Sequence, residues 1–298
     1  MTNIYLSDGR LQMVDRVAPR VHRLTAPNPG PLTGRGTNTY VLGSDQQFVI
    51  DPGPDDDAHL DAILTVAPNP QAILVTHSHI DHTALVPRLA AATGAAVWAF
   101  GDSFTGRHDL PDLGPTFAEG DGTDQNFACD HNIKDGQVLT FGDVHLTALW
   151  TPGHFPNHLC FDRGDVLFSG DVVMGWSTTL VSPPEGSVTQ FMAACQRLEM
   201  LGPKPYLPGH GDLVDDGAAR ALELRLHRQT REDQILAALT DMPQSAAALT
   251  KQIYHDVPVH LHPAAERNVL AHLVALIHAD KAQTAGPLSP SALFATNP

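Results

Sequence analysis

The sequence predicts a mixed α/β fold, in which a sheet-rich sandwich carries helices on its outer faces and a small helical domain follows. Two observations predict the sandwich: strand-like and helix-like segments alternate in two halves up to residue 216, and the strand-like runs are short and apolar. From residue 217 onward, by contrast, only helical patterns recur. We therefore divide the chain into residues 1–216 and 217–298, and a total of 298 residues is enough for both parts.

The first half begins with a strand, a turn, a hairpin and a helix. Proline and glycine dominate residues 26–31, which favours a turn. Acidic residues stand near the start of the helix, where the helix dipole favours negative charge. The predicted elements are a strand at 21–24, a hairpin formed by 37–42 and 48–50, and a helix at 55–66.

A cluster of metal-type ligands follows the next strand. Residues 72–75 form an apolar run that is typical of a strand covered on both faces. The segment after this strand spells H-x-H-x-D-H with His77, His79, Asp81 and His82. A helix is predicted over 83–92, so the ligands converge on a strand-to-helix turn, where open α/β sheets place their chemistry. Imidazole and carboxylate together suit zinc, and also iron or manganese.

Regular patterns stop between residues 101 and 136, after a strand at 96–98. This segment is rich in glycine, proline and aspartate, and it contains His108 and His131. We favour a long surface excursion whose charges are solvated. The alternative is a loop that covers the mouth of the site, since long loops in compact domains are often functional.

The second half supplies three further ligand-type residues, each beside a glycine and each after a strand-like segment. They are His154, Asp171 and His210. Glycine allows the backbone to turn sharply at such strand ends. The strands are predicted at 138–141, 144–149, 158–161 and 166–168, and an amphipathic helix at 187–201.

The C-terminal part is predicted to contain three helices, at 218–239, 245–254 and 263–279, with Ser245 as an N-cap. Three helices of this length resemble a winged-helix arrangement, whose usual association is nucleic acid. Seven basic and seven acidic residues balance here, which argues against that use. We interpret this part as a structural module or as a dimerising one, and in the second case the protein would form a homodimer. Residues 287–298 are predicted to form a loose tail.

Composition excludes several classes of protein. The net charge is −15 and arises before residue 217, so the surface on average repels phosphate and disfavours nucleic acid. No apolar run is long enough for a membrane helix, and residues 1–10 lack a secretory pattern, so we expect a cytoplasmic protein. Cys129, Cys160 and Cys195 form no C-x-x-C motif and are expected to be small buried hydrophobic residues.

The order of these motifs resembles that of the metallo-β-lactamase-fold hydrolases. The resemblance implies an αββα sandwich with the site at the sheet edges, and it makes residues 1–216 the catalytic domain. It also implies two zinc ions, with iron or manganese as alternatives. By position, the first ion would be bound by His77, His79 and His154, the second by Asp81, His82 and His210, and Asp171 would bridge them.

Further motifs resemble the β-lactamase-like protein 2 branch, which carries a C-terminal winged-helix-like extension. They are Asn-Pro-Gly-Pro at 28–31, Gly-Thr-Asn-Thr-Tyr at 36–40, Thr-Pro-Gly-His at 151–154 and His227-Arg-x-x-Arg231 with Gln234-Ile235. That branch includes endoribonucleases, and the neighbouring glyoxalase II branch cleaves thioesters. True β-lactamases of this fold generally lack the bridging aspartate, so penicillin cleavage is disfavoured. The long acidic excursion departs from the branch, which disfavours RNA as the substrate.

The resemblance also implies a mechanism. Two divalent ions about 3.5–4 Å apart hold a bridging water and lower its pKa towards neutrality. The resulting hydroxide would attack an acyl or phosphoryl centre, with Asp81 orienting the water. His158 is expected either to hydrogen-bond to the site or to be an ordinary core histidine. Four more residues are expected near the site, with ordinary packing as an equal alternative: Asn38, Tyr40, Trp176 and Thr178.

Three functions remain open. The favoured one is hydrolysis of a small-molecule ester, thioester or lactone. The second is metal-dependent cleavage of single-stranded RNA, which would require a basic groove built from Arg20, Arg23, Arg35, Arg225, Arg228 and Arg231. The third is a non-catalytic binding protein, which the complete ligand set disfavours.

Overall fold

Two sheets pack face to face between layers of helices, and a third, small sheet lies in the C-terminal part. The computed structural model describes residues 2–5, 11–107, 113, 117, 122–284 and 286–297. The sheets contain eight, five and three strands. None of the helices in these described ranges combines the length and the apolar character that crossing a bilayer requires.

The first sheet has its strands in chain order, antiparallel as far as the fifth strand and parallel from there to the eighth. The sequence patterns did not predict its first, second and eighth strands. The strands are β1 Thr2–Tyr5, β2 Leu11–Ala18, β3 Val21–Thr25, β4 Asn38–Leu42, β5 Phe48–Ile50, β6 Ala72–Leu74, β7 Ala96–Ala99 and β8 His131–Asn132.

The second sheet contains β9 Val138–Phe141, β10 Val144–Trp150, β11 Leu159–Asp162, β12 Leu167–Gly170 and β13 Tyr206–Pro208. It runs in the order β13-β12-β11-β10-β9, and only the pair β12–β13 is parallel. The four strands from β9 to β12 were predicted from the sequence to within a few residues.

The remaining elements are the helices and the small sheet of the C-terminal part. The helices are α1 Asp57–Val66, α2 Ile80–Thr83, α3 Val86–Thr93, α4 Val188–Glu199, α5 Gly217–Ala238, α6 Ala246–Ile253 and α7 His262–His278, with a 3-10 turn at Val259–Leu261. The small sheet consists of β14 Gln244–Ser245, β15 Ala282–Thr284 and β16 Leu293–Thr296.

Side-chain alternation along the strands produces the layers. In β4, Tyr40 and Leu42 face the second sheet and pack in one core with Phe161 and Phe168. Val41 points the other way and packs in a core with α1 and α3. The outer face of the second sheet packs against α4 and α5 in the same manner. The predicted αββα sandwich is therefore confirmed.

The helix predicted over residues 83–92 is wrong in its bounds. Two helices, α2 and α3, occupy this region, and α2 begins at Ile80, so Asp81 and His82 are helical. Pro87 stands in the first turn of α3. Because proline has no N–H group, it cannot continue the hydrogen bonds of α2, and the chain starts a new helix instead.

The favoured interpretation of residues 101–136, a solvated surface excursion, fits only part of the described residues, where the charged side chains of Asp102, Asp130, Lys134 and Asp135 are exposed. Ser103, Thr123, Phe127 and Ile133 are buried. The backbone N–H of Ile80 donates to the carbonyl of Gly122 at 2.7 Å, so the segment also passes beside the ligand cluster, as the alternative interpretation requires. His131 stacks on Trp98, with ring centroids 4.1 Å apart. His108 lies outside the described residues.

The loose tail predicted at 287–298 is also wrong. β16 pairs with both β14 and β15, and Phe294 is fully buried in the core of the C-terminal part. Helix α5 spans the junction between the two parts, because Ala221 and Leu224 pack in the sandwich and Ile235 packs in the C-terminal core. The boundary between residues 216 and 217 stays a prediction.

We expect Phe294→Ala to destabilise the C-terminal domain by about 3–5 kcal/mol, because a buried ring is lost and a cavity is left behind. Leu293→Ala is the matched control: the Leu293 side chain is 48% exposed, so the loss should stay below about 1 kcal/mol. Urea denaturation followed by far-ultraviolet circular dichroism measures both. Equal midpoints for the two variants would support the loose-tail interpretation.

Candidate metal centre

Seven ligand-type side chains meet at one end of the two sheets and form two groups. Within each group, the ligand atoms all lie within 4.8 Å of one another. The first group is His77, His79, His154 and Asp171, and the second is Asp81, His82 and His210. These are the seven residues that the sequence predicted as metal ligands. They follow β6, β10, β12 and β13 directly or lie in α2, so the ends of four strands bring them together.

Distances within the first group are slightly shorter than the spacing of nitrogen ligands around one ion. His77 Nε2 and His154 Nε2 lie 2.9 and 3.0 Å from His79 Nδ1. Zn–N bonds are about 2.0–2.1 Å long, so two nitrogens of a tetrahedral site stand about 3.4 Å apart. Burial lowers the pKa of all three imidazoles, that of His79 to about 3, so each is neutral and offers a lone pair.

The second group has similar spacing, and Asp171 lies between the two groups. His210 Nε2 is 3.4 Å from His82 Nε2 and 3.3 Å from Asp81 Oδ2. Asp171 Oδ2 is 3.1 Å from His210 Nε2 and 3.7 Å from His154 Nε2. One carboxylate therefore contacts imidazoles of both groups, which is the geometry expected of a bridging ligand.

The electrostatics of the second group differ from those of the first. Burial alone would lower the pKa of His82, but the carboxylates of Asp81, Asp171 and Asp51 raise it well above its usual value. Burial alone would also lower the pKa of His210, but the Asp171 carboxylate raises it above its usual value. Burial alone would raise the pKa of Asp171, but the two imidazoles hold it well below its usual range. The ionised carboxylates thus require positive charge beside them.

A divalent cation fits this requirement. Asp171 Oδ1 is buried and has no hydrogen-bond donor within the described ranges, and such an oxygen is costly to leave without a partner. At Gly209, an added Cβ would stand 2.2 Å from this oxygen and 2.7 Å from His82 Cε1, so only glycine lets the backbone pass so close. Lone pairs from neutral imidazoles, together with carboxylate oxygens, form a donor set suited to zinc, iron or manganese.

Hydrogen bonds to the outer ring nitrogens orient three of the imidazoles. His154 Nδ1 donates to the carbonyl of Leu180 at 2.7 Å, and His82 Nδ1 lies 2.9 Å from Asp51 Oδ2. His210 Nδ1 donates to a backbone carbonyl, that of Gly36, at 3.3 Å. In each ring the Nε2 atom consequently faces the cluster. Bonds of this kind fix the tautomer and increase the basicity of a ligand.

The sequence analysis missed Asp51, which holds this end of the cluster in place. Its carboxylate accepts hydrogen bonds from the N–H and hydroxyl of Thr76, both at 2.7 Å, in addition to its contact with His82. Asp51 has a φ of 51°, which costs an ordinary residue roughly 1–2 kcal/mol. The available signal was its position after β5, because β5 and β6 are parallel neighbours and their ends coincide.

Thr37 is a second residue that the sequence analysis missed. It is fully buried, and its hydroxyl donates to Asp81 Oδ2 at 2.8 Å. Its backbone also pairs with that of His210 in an isolated antiparallel β-bridge. Its place within the 36–40 motif was the only sequence signal, and nothing in the motif distinguished Thr37 from its neighbours.

His158 supports the cluster by hydrogen bonding. Its Nε2 accepts from the backbone N–H of Asp171 at 3.1 Å, and its Nδ1 lies 3.0 Å from the hydroxyl of Thr151. The side chain is fully buried, and burial holds its pKa well below the usual value. Of the two interpretations offered for His158, the structure therefore supports the hydrogen-bonding one.

Asn38 and Tyr40 lie in strand β4 rather than in a loop, and both are buried. The Asn38 amide donates to the carbonyls of Pro208 and Gly211 at 3.0 and 2.9 Å. The Tyr40 hydroxyl donates to the same Pro208 carbonyl at 2.8 Å. Their role is to hold the segment that carries His210, and they do not line the pocket.

Trp176 and Thr178 line a cavity that opens onto the cluster, which is one of the two roles considered for them. The cavity has a volume of about 740 Å³, within the range of small-molecule sites. Part of its wall comes from α5, α7 and the residues between α6 and α7. Several apolar side chains also line it: Leu32, Met174, Leu180, Val257, Leu261 and Ala265.

Comparison with known families matches two parts of the chain. Residues 32–210 match the metallo-beta-lactamase superfamily, and residues 245–286 match the beta-lactamase associated winged helix domain. A beta-lactamase-like protein 2 homolog of Drosophila melanogaster is 30% identical over 274 residues, which cover 87% of this chain and 88% of that protein.

Two other proteins resemble the chain over most of its length. An atrochrysone carboxyl ACP thioesterase of Aspergillus fumigatus is 30% identical over 239 residues, which cover 78% of this chain and 69% of that protein. The crystal structure of a metallo-beta-lactamase family protein from Thermus thermophilus covers 94% of this chain and 99% of its own, with a TM-score of 0.76 and 24% identity. Its likeness concerns the fold alone. The chain belongs to the metallo-beta-lactamase superfamily and ends in a winged-helix domain of the kind associated with it.

Proposed function

We propose that this hydrolase uses two divalent metal ions to cleave a thioester, or a related small ester or lactone. The observation that carries the proposal is the position of Asp171, whose buried carboxylate lies between two groups of ligands and has one oxygen without a donor in the described structure. The cavity beside it is large enough for a small molecule. Similarity to a relative named as an acyl-carrier-protein thioesterase supports the choice of a thioester.

The residues present define the proposed chemistry. When bound, a pair of divalent ions, zinc in our proposal and iron or manganese as alternatives, lowers the pKa of water and stabilises negative charge on the substrate oxygen. The Asp81 side chain is 25% exposed, whereas that of Asp171 is 8% exposed. Asp81 can therefore accept a hydrogen bond from a water in the cavity and orient it, while Thr37 fixes its carboxylate.

Cleavage of single-stranded RNA is the weaker alternative, because most of the arginines it would require are neutralised. Four of the six named for a basic groove form ion pairs with carboxylates: Arg20 with Asp143, Arg23 with Asp15, Arg35 with Asp212 and Arg225 with Glu199. Backbone recognition of RNA depends on unpaired positive charge. We also propose that a β-lactamase role is absent, since Asp171 occupies the bridging position.

We expect the purified protein to contain about two metal ions per chain and to hydrolyse a thioester. Asp171→Asn should bind fewer ions and lose activity by about 100-fold or more, because a neutral amide replaces the charge shared by both groups. Metal analysis by mass spectrometry and initial rates measure the two effects. His255→Ala is the control, since this exposed histidine belongs to neither ligand group and hydrogen-bonds to the Gln252 carbonyl. Full activity in Asp171→Asn would contradict the proposal.

Asp51→Asn should weaken metal binding by about 10- to 100-fold, because His82 loses the carboxylate that orients it. Competition with a chromophoric chelator measures the affinity. Asp45→Asn serves as the control, as Asp45 is exposed in the turn between β4 and β5. If Asp51→Asn folds and binds metal as tightly as the control, Asp51 has no supporting role.

A further inference from the structure

One part of the cavity, here called the arginine end, is lined by basic side chains of the C-terminal helices. Arg231 and His227 reach it from α5, and Arg267 reaches it from α7. Tyr254, which follows α6, completes this end. The proposed mechanism uses none of these residues, although they share one cavity with the ligands.

These arginines differ from the others in their partners. Nine arginines form ion pairs with carboxylates: Arg20, Arg23, Arg35, Arg88, Arg107, Arg163, Arg197, Arg220 and Arg225. Within the described ranges, only Arg16, Arg228, Arg231 and Arg267 lack such a pair. Acidic residues outnumber basic ones 33 to 18, so the lack of a carboxylate partner is not due to a shortage of acid. Three of these four arginines lie at or beneath this end of the cavity.

Arg231 is held in place by neutral groups. Its guanidinium carbon lies 4.2 Å from the centre of the Tyr254 ring, and its Nη1 donates to Gln234 Oε1 at 2.8 Å. Its Nε is buried and has no acceptor in the described part of the chain, and the same holds for the Nδ1 atom of His227. The side chain is thus oriented while its positive charge stays unmatched.

The buried Arg228 adds a second positive charge below the cavity wall. It donates to the carbonyls of Thr178 and Thr179 and to Asn268 Oδ1, all of which are uncharged. Burial lowers its pKa to about 10, which leaves it charged near neutral pH. Arg228 therefore holds Thr178, a lining residue, and raises the local positive potential.

The carboxylates near the cavity have partners other than Arg231 and Arg267. Asp81 and Asp171 belong to the metal centre, and Glu185 lies 3.4 Å from Arg107. Glu232, next in sequence to Arg231, lies 3.5 Å from Lys281 Nζ and does not line the cavity. An anion in the cavity would therefore meet attraction at the arginine end.

We propose that Arg231 and Arg267 bind an oxyanion of the substrate, a carboxylate or a phosphate, while the scissile carbonyl lies at the metal centre. The apolar side chains that also line the cavity would contact the uncharged part of the molecule. The substrate class is then an anionic thioester or ester with an apolar segment. This inference rests on the proposed hydrolase function for its orientation, and it assigns the winged-helix domain a role in substrate binding.

The test compares substrates that differ only in charge. Butyryl thioesters of pantetheine and of pantetheine 4′-phosphate place or omit a phosphate on the thiol side. Glutaryl pantetheine and its methyl ester place or omit a carboxylate on the acyl side. We expect kcat/KM to be about 10- to 100-fold higher for the charged member of one pair, the size expected for a charge-assisted hydrogen bond, with most of the change in KM. The pair that responds identifies which oxyanion is bound.

Arg267→Gln and Arg231→Gln should remove this preference, so that kcat/KM becomes equal within about threefold for the two members of the responding pair. Arg267→Lys should restore part of the preference, because a positive charge is retained. Arg16→Gln is the matched control, since Arg16 also lacks a carboxylate partner in the described structure but lies in β2, away from the cavity. Circular dichroism verifies that each variant is folded.

Failure of this inference can be distinguished from failure of the proposed function. Hydrolysis of charged and neutral thioesters at equal rates would overturn the inference alone. If the protein hydrolyses none of them, calorimetric binding of pantetheine 4′-phosphate and glutarate to the wild type and to Arg267→Gln still decides it: equal affinities or no binding would overturn it. Single-stranded RNA can also be tested as a substrate in the same variants. If Arg267→Gln loses RNA cleavage and Arg16→Gln retains it, the bound oxyanion is an RNA phosphate and the proposal of a small-molecule anion is overturned.

Discussion

The buried carboxylate of Asp171 is the constraint on which the site depends. An ionised carboxylate is costly to bury unless positive charge stands beside it. Here that charge must come from His82 and His210, whose pKa values the carboxylates raise, or from bound cations. The three imidazoles of the first group cannot supply it, because burial keeps them neutral. Cations bound by the two groups would supply this positive charge and would also accept the lone pairs of the neutral imidazoles.

Buried residues of the sandwich hold the metal-ligand side chains in place. Every ligand stands at the end of a strand or in the first turn of a helix, and residues buried in the sandwich hold the connecting backbone. Asp51 and His158 lie beneath the cluster and bond to His82 and to the backbone of Asp171. Asn38 and Tyr40 hold the segment before His210 in the same way. A ligand set supported by rigid strands can keep its geometry while the cavity above it admits a substrate.

The seven ligands could be predicted from the sequence because each stands in a short local pattern. H-x-H-x-D-H is contiguous, and the later ligands each lie next to glycine after an apolar strand. Asp51 and Thr37 could not be found in this way, because their partners are 31 and 44 residues away along the chain. Their roles arise from strand neighbours, which no local pattern records.

The fold could be predicted to a similar degree. Strands with apolar runs were found, but β16 was missed, because the tail that contains it is rich in Pro and Ser and has only Phe294 as a fully buried side chain. The arginine end of the cavity was missed for a different reason. The number of arginines can be read from the sequence, but only the structure identifies which of them are neutralised by carboxylates. The net charge of the sequence therefore could not show that arginines without a carboxylate partner in the described structure line the cavity.

The most direct test of the account is the anomalous diffraction of crystals grown with zinc. The account predicts two strong peaks per chain, one among His77, His79 and His154 and one among Asp81, His82 and His210, with Asp171 in contact with both. A single peak, or two peaks that do not share Asp171, would contradict the bridging role on which the proposed chemistry depends.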